Sequence, residues 1–188
     1  MKEKIKKRLT KNQIFTIPNI ITLFRLFLIP VIILLYLKYE NYFASAVVIA
    51  LSALTDVVDG IIARRFNLIS DLGKFLDPVA DKLTQFSMVF CIALKTPYVF
   101  SLLALLIIKD ILLFLWGLFV LKKTDTVNSS KWYGKLCTVI IYLSMFTLFV
   151  IPDAPMELIA VSFIICSLSV FLSTILYGIF YSKILKSK

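Results

Sequence analysis

The sequence predicts an all-α, polytopic membrane protein with six transmembrane helices. Two observations carry this. The chain of 188 residues is 60% hydrophobic, well beyond the roughly 45–50% of a soluble domain. Its apolar residues also fall in six blocks, Ile20–Leu37, Tyr42–Ala63, Phe75–Leu94, Tyr98–Leu121, Trp132–Ile151 and Leu158–Tyr181. Each is close to the ~20 residues that carry a helix across ~30 Å of hydrocarbon. A large soluble helical core is disfavoured, because the blocks keep no polar face for water.

The links between blocks set the orientation. The chain carries a net charge of +10. Its bases cluster at the N-terminus (Lys2, Lys4, Lys6, Lys7, Arg8, Lys11), after the second block (Arg64, Arg65), after the fourth (Lys122, Lys123, Lys131, Lys135) and in the tail (Lys183, Lys186, Lys188). The alternate links hold only Lys38 and Lys95 as bases, beside Glu40, Asp153 and Glu157. The positive-inside rule puts the basic links and both termini in the cytoplasm, in agreement with an even number of spans. The basic excess is read as topology and attraction to anionic lipid, with no nucleic-acid partner. The opening MKEKIKKRLTKNQ has the look of a signal peptide, but the apolar run continues to Leu37 without a small-residue cleavage site. Residues 1–16 are expected to be a basic cytoplasmic segment with a short interfacial helix, and residues 17–183 a six-helix bundle, all within one domain. Cys91, Cys137 and Cys166 lie inside apolar blocks with no metal-like spacing, so no disulfide framework is expected.

One stretch breaks the apolar pattern. SALTDVVDGIIARRFNLISDLGKFLDPVADKL, residues 52–83, holds Asp56, Asp59, Asp71, Asp77 and Asp81. Charge near membrane depth is costly and marks function by default. On a helix Asp56 and Asp59 share a face, as do Asp77 and Asp81. A short link should fold the second and third spans into an antiparallel pair, with these four carboxylates converging at the cytoplasmic end. Asp71 is expected to cap the third span.

Four carboxylates in a semi-dry site repel one another, and a bound cation is the usual remedy. An all-carboxylate set suits hard divalent ions such as Mg²⁺, Mn²⁺ or Ca²⁺. The chain has no histidine, so a general base must be a carboxylate, a lysine or water. Gly60 and Gly73 cost ~1 kcal/mol each in helix propensity against alanine. Beside the acidic stripes they point to close approach by a ligand or backbone. Arg64 is a natural phosphate partner. Together these residues describe a phosphate-ester site in which two metals clamp a diphosphate. A non-enzymatic cation carrier, or a scaffold whose aspartates pair with Lys74 and Lys82, is the competing class.

Asp56-x-x-Asp59-Gly60-x-x-Ala63-Arg64, then eight residues, then Gly73-x-x-x-Asp77-x-x-x-Asp81 resembles the signature of the CDP-alcohol phosphotransferase family at every fixed position. The resemblance implies transfer of a phosphatidyl group from CDP-diacylglycerol to an alcohol, with release of CMP. It implies that Asp56, Asp59, Asp77 and Asp81 ligate two metal ions, Mg²⁺ or Mn²⁺, and that Asp81 is also the catalytic base. Gly60, Ala63 and Gly73 would border the nucleotide, with Arg64 and Lys74 near its phosphates. The opening PNIITLFR, residues 18–25, is similar to that of phosphatidylglycerophosphate synthases and CDP-diacylglycerol-dependent cardiolipin synthases. This adds Asn19 and Thr22 to the nucleotide border and Arg25 to the acidic site or the acceptor's phosphate.

Lys109, Lys131 and Lys135 are the other candidates for the acceptor's phosphate. Lys109-Asp110 stands where the first subfamily carries Arg-Glu and the second Arg-Asp. The expected acceptor is glycerol 3-phosphate, because short loops and a compact chain suit a small soluble molecule; the alternative is phosphatidylglycerol, giving cardiolipin. The family further implies a homodimer, here in a bacterial cell membrane.

Overall fold

The computed structural model describes residues 17–65, 71–124, 131–151 and 153–186. The expected interfacial helix of the N-terminal segment lies outside these residues. Among them are six α-helices and no strand: α1 (Ile17–Leu37), α2 (Tyr42–Arg65), α3 (Asp71–Lys95), α4 (Phe100–Thr124), α5 (Trp132–Val150) and α6 (Met156–Lys186). A short 3₁₀ turn, Pro97–Val99, leads into α4.

Four stretches are long and apolar enough to cross a membrane: Asn19–Leu37, Pro97–Leu121, Trp132–Val150 and Met156–Leu185. In α2 the shorter run Tyr42–Val58 is apolar. The six expected blocks therefore correspond to six helices, of which four meet the length and hydropathy of a span. The other two are the helices that carry the aspartates.

The surface is inverted relative to a soluble protein. Phe27, Phe43, Phe114, Leu168 and Phe171 are largely exposed, whereas Asn19, Thr22, Arg25, Ser52, Gln85 and Lys109 are buried. Apolar surface on this scale is stable against lipid, and the polar groups must find partners inside. Many hydroxyls turn back onto their own helix: Thr55 donates to the Ser52 carbonyl, Thr84 to that of Ala80 and Ser87 to that of Thr84. This local bonding lets Ser and Thr sit in an apolar helix without an unpaired hydroxyl. The three cysteines are free and buried.

The chain forms two compact units, Met1–Met88 and Val89–Lys188. In the first, α1 and α2 pack together across a tight turn. Glu40 takes a left-handed φ of 49° there. The Lys38 and Tyr39 amides donate to the Leu34 carbonyl, closing α1. Asn41 caps α2, its Oδ1 accepting the Ala44 amide at 3.0 Å.

In the second unit α6 packs on both α4 and α5. Tyr133, Tyr177 and Tyr181 form a continuous ring contact along α5 and α6, and Trp116 of α4 joins it at Tyr181. Gly134 is what lets α5 approach. A Cβ there would lie 2.4 Å from Tyr177 Oη. That hydroxyl is fixed, since it accepts the Lys131 amide at 3.1 Å.

Gly134→Ala should therefore cost about 1–3 kcal/mol of overpacking, seen as a lower thermal midpoint in detergent. Gly117→Ala, whose Cβ would meet nothing nearer than Tyr181 Oη at 3.9 Å, should be neutral or gain up to ~1 kcal/mol of helix propensity.

Candidate active site

The site of the first unit is built around one face of α1. Asn19, Thr22 and Arg25 follow one another at three-residue spacing and are all buried. Thr22 Oγ1 donates to Asp77 Oδ1 at 2.7 Å. Arg25 uses both ends of its guanidinium: Nη1 donates to Asp56 Oδ1 and Nη2 to Asp81 Oδ1. Thus α1 joins α2 and α3 through their acids. The pairs 22–77 and 25–81 rise together, so α1 and α3 run the same way. The contacts 25–56 and Tyr36–Tyr42 run in opposite senses, so α2 is antiparallel to α1. The opposed directions of α2 and α3 follow from these two registers.

The Arg25 side chain is 3% exposed, against 41% for Asp56 and 43% for Asp81. The cation is buried while the acids keep an open side. A buried guanidinium without partners would cost several kcal/mol, so Arg25 requires its carboxylates more than they require it. A planar fork can hold two separate acids at once, which the point charge of a lysine cannot reproduce.

Asp56, Asp77 and Asp81 are thus placed on one polar face. Asp59, Gly60, Ala63 and Arg64 belong to α2, and Asp71 and Lys74 to α3, but their side chains lie outside the described residues. Gly73 is buried on α3. Among the described residues no group of three or more His, Cys, Asp or Glu side chains is arranged to hold a metal ion. The donor set is nonetheless all oxygen, and Asp56 and Asp81 already converge on one cationic group. That chemistry suits a hard divalent cation.

The second unit holds the remaining candidates. Lys109 is buried on α4, with Nζ 3.7 Å from Asp110 Oδ1 and 3.9 Å from Cys137 Sγ. Lys131 precedes α5 with Nζ 4.2 Å from the Phe180 ring centroid, a cation–π contact. Lys135 is exposed on α5.

The residues 15–175 match the family model for CDP-alcohol phosphatidyltransferase. The chain belongs to the CDP-alcohol phosphatidyltransferase family. It is 39% identical over 134 residues to the CDP-diacylglycerol–glycerol-3-phosphate 3-phosphatidyltransferase of Aquifex aeolicus, covering 69% of this chain and 72% of that protein. It is 54% identical over 69 residues to the enzyme of the same name from Pseudomonas fluorescens, covering 36% of this chain and 35% of that one. A cardiolipin synthase (CMP-forming) / mitochondrial hydrolase fusion protein of Schizosaccharomyces pombe is 39% identical over 107 residues, covering 57% of this chain and 18% of that protein. The chain is therefore a phosphatidyltransferase and an integral membrane protein of several apolar helices.

One polar residue of this phosphatidyltransferase escaped the sequence reading. Gly73, Asp77, Asp81 and Gln85 repeat at four-residue spacing on α3, and Gln85 is buried to 1% exposure. The signal was legible as an amide one turn beyond the last aspartate, on the same stripe.

Thr22→Val removes the donor to Asp77 and should cost about 1.5–3 kcal/mol, the range for a hydrogen bond to a charged group. Arg25→Lys should also destabilise, because a single ammonium cannot hold both acids in the fork geometry. Thermal unfolding in detergent without divalent ions reads both.

Proposed function

We propose that the protein transfers a phosphatidyl group from CDP-diacylglycerol to glycerol 3-phosphate and releases CMP. The observation that carries this reading is the gathering of Asp56, Asp77 and Asp81 onto the Asn19–Thr22–Arg25 face of α1. It supports a single site made from the first and last aspartates of the family signature. The names of the Aquifex and Pseudomonas relatives support glycerol 3-phosphate as acceptor.

Asp56, Asp59, Asp77 and Asp81 are the residues to hold two divalent ions, Mg²⁺ or Mn²⁺. Bound there, such ions would neutralise the donor's diphosphate and the charge that builds during transfer. Asn19, Thr22, Gly60, Ala63 and Gly73 border the nucleotide, and Arg64 and Lys74 hold its phosphates. Asp81 takes the proton of the acceptor hydroxyl. The freed oxygen bonds to the phosphorus bearing the diacylglycerol, and that phosphorus releases its bond to CMP. The exposed side of the Asp81 carboxylate leaves room for a hydroxyl beside the Arg25 contact.

Lys109, Lys131 and Lys135 are the proposed partners of the acceptor's phosphate. Arg25 could serve the same end only by giving up a carboxylate. Lys109 is buried beside Asp110, so it would have to share its ammonium between that carboxylate and the acceptor's phosphate. All six helices cross the bilayer, with both termini and the site facing the cytoplasm of a bacterial cell. The enzyme works as a homodimer. The lipid tails of the donor stay in the membrane while the CDP head enters the site.

Phosphatidylglycerol as acceptor, giving cardiolipin, is the second reading. It is favoured by aspartate at position 110 and by the Schizosaccharomyces pombe relative.

In liposomes with CDP-diacylglycerol and Mg²⁺, CMP release is expected with glycerol 3-phosphate and is abolished by EDTA. Release only with phosphatidylglycerol would select the second reading. Silence with both would overturn each. Asp81→Asn should lower turnover by at least ~100-fold, the low end for a positioned base, and leave part of the nucleotide affinity. Asp56→Asn should lose nucleotide affinity as well. Equal loss in the two variants, measured by CDP-diacylglycerol binding, would refute the base role of Asp81.

A further inference from the structure

Gln85 is a buried polar residue of the first unit that the proposed transfer leaves without a task. It is 1% exposed on α3. Neither Oε1 nor Nε2 has a hydrogen-bond partner among the described residues. Leaving a buried amide unpaired costs free energy on both its donor and acceptor sides. A methionine or leucine would fill the same space without that cost.

Position gives the amide a purpose. Gln85 lies four residues beyond Asp81, one turn along the same stripe. Side chains on a helix lean toward its N-terminus, so a long side chain at 85 reaches back toward the level of Asp81. On antiparallel α2 the corresponding step leads from Asp56 to Ser52, which is also buried. The layer beyond the Arg25 bridge is therefore marked by buried polar residues on both helices.

The chemistry narrows the guest. An ester carbonyl of a lipid could satisfy only the N–H donors of the amide. A hydroxyl both donates and accepts, and so can use either side of the amide. Resting on the proposed transfer to a glycerol-type acceptor, we propose that Gln85 binds the non-reacting hydroxyl of a vicinal diol while Asp81 holds the reacting one. Glycerol 3-phosphate and the headgroup of phosphatidylglycerol both present such a diol. Gln85 is thus a specificity residue for the acceptor alcohol and has no part in donor binding.

The test compares each acceptor with its analogue lacking only the second hydroxyl. For glycerol 3-phosphate this is 3-hydroxypropyl phosphate. For phosphatidylglycerol it is phosphatidyl-1,3-propanediol. The acceptor pair that wild type uses identifies the source of the diol. Wild type should prefer the diol by roughly 10- to 100-fold in kcat/KM, the worth of a buried hydrogen bond. Gln85→Met and Gln85→Leu should abolish that preference by lowering kcat/KM for the diol alone, with KM for CDP-diacylglycerol unchanged.

The preference is a ratio within one preparation, so a reduced folded fraction cancels. If both variants keep the wild-type ratio, the amide serves only packing or water and the inference is overturned. An equal fall with diol and analogue would overturn it too, as a structural lesion. A wild-type enzyme inactive with every acceptor would instead refute the underlying transfer reading.

Discussion

One guanidinium sets the terms for the first unit. Arg25 is buried and has two acids within reach. At an effective dielectric of ~20, a unit charge pair 4 Å apart is worth about 4 kcal/mol before desolvation is subtracted. Desolvating the arginine takes back several kcal/mol. The balance favours the folded arrangement only while both acids stay in place. Charge therefore helps pin the register of α1 against α2 and of α1 against α3, beside the packing of α1 on α2, and Thr22 adds a second pin at Asp77.

The same constraint explains why a chain so rich in apolar residues tolerates a charged stretch. An aspartate facing lipid would be expelled, whereas one facing a buried arginine and an open polar side is held. The exposed sides of Asp56 and Asp81 are chemically suited to a further positive charge. The apolar exterior keeps the whole assembly in the bilayer, where a lipid donor resides. Under the proposed transfer, stability and activity draw on one set of side chains, and changes that improve one are expected to disturb the other.

Much of this was legible in the sequence. The length and spacing of the apolar blocks gave the six helices and their order. The i, i+3 and i, i+4 spacings gave the faces of Asp56, Asp77 and Asp81. The resemblance of the opening PNIITLFR already assigned Arg25 to the acidic site or the acceptor's phosphate; that it grips both Asp56 and Asp81 is a tertiary fact with sequence separations of 31 and 56 residues. Hydropathy alone picks out four of the six helices; α2 and α3 fall short because they carry the aspartates, whose partners a sliding window does not see. The tyrosine row of Tyr133, Tyr177 and Tyr181 was hidden for another reason. Tyrosines near helix ends read as interfacial anchors, and only the close approach at Gly134 shows that they stack on one another.

The most direct test of the central claim is a double-mutant cycle between Arg25 and Asp81, with Arg25→Met, Asp81→Asn and the pair, read by reversible unfolding without divalent ions. A shared ion pair predicts a coupling of about 0.5–3 kcal/mol, with the double variant less damaged than the sum of the singles. Additivity within about 0.3–0.5 kcal/mol would mean that Arg25 does not hold Asp81, and the site as described would lose its keystone.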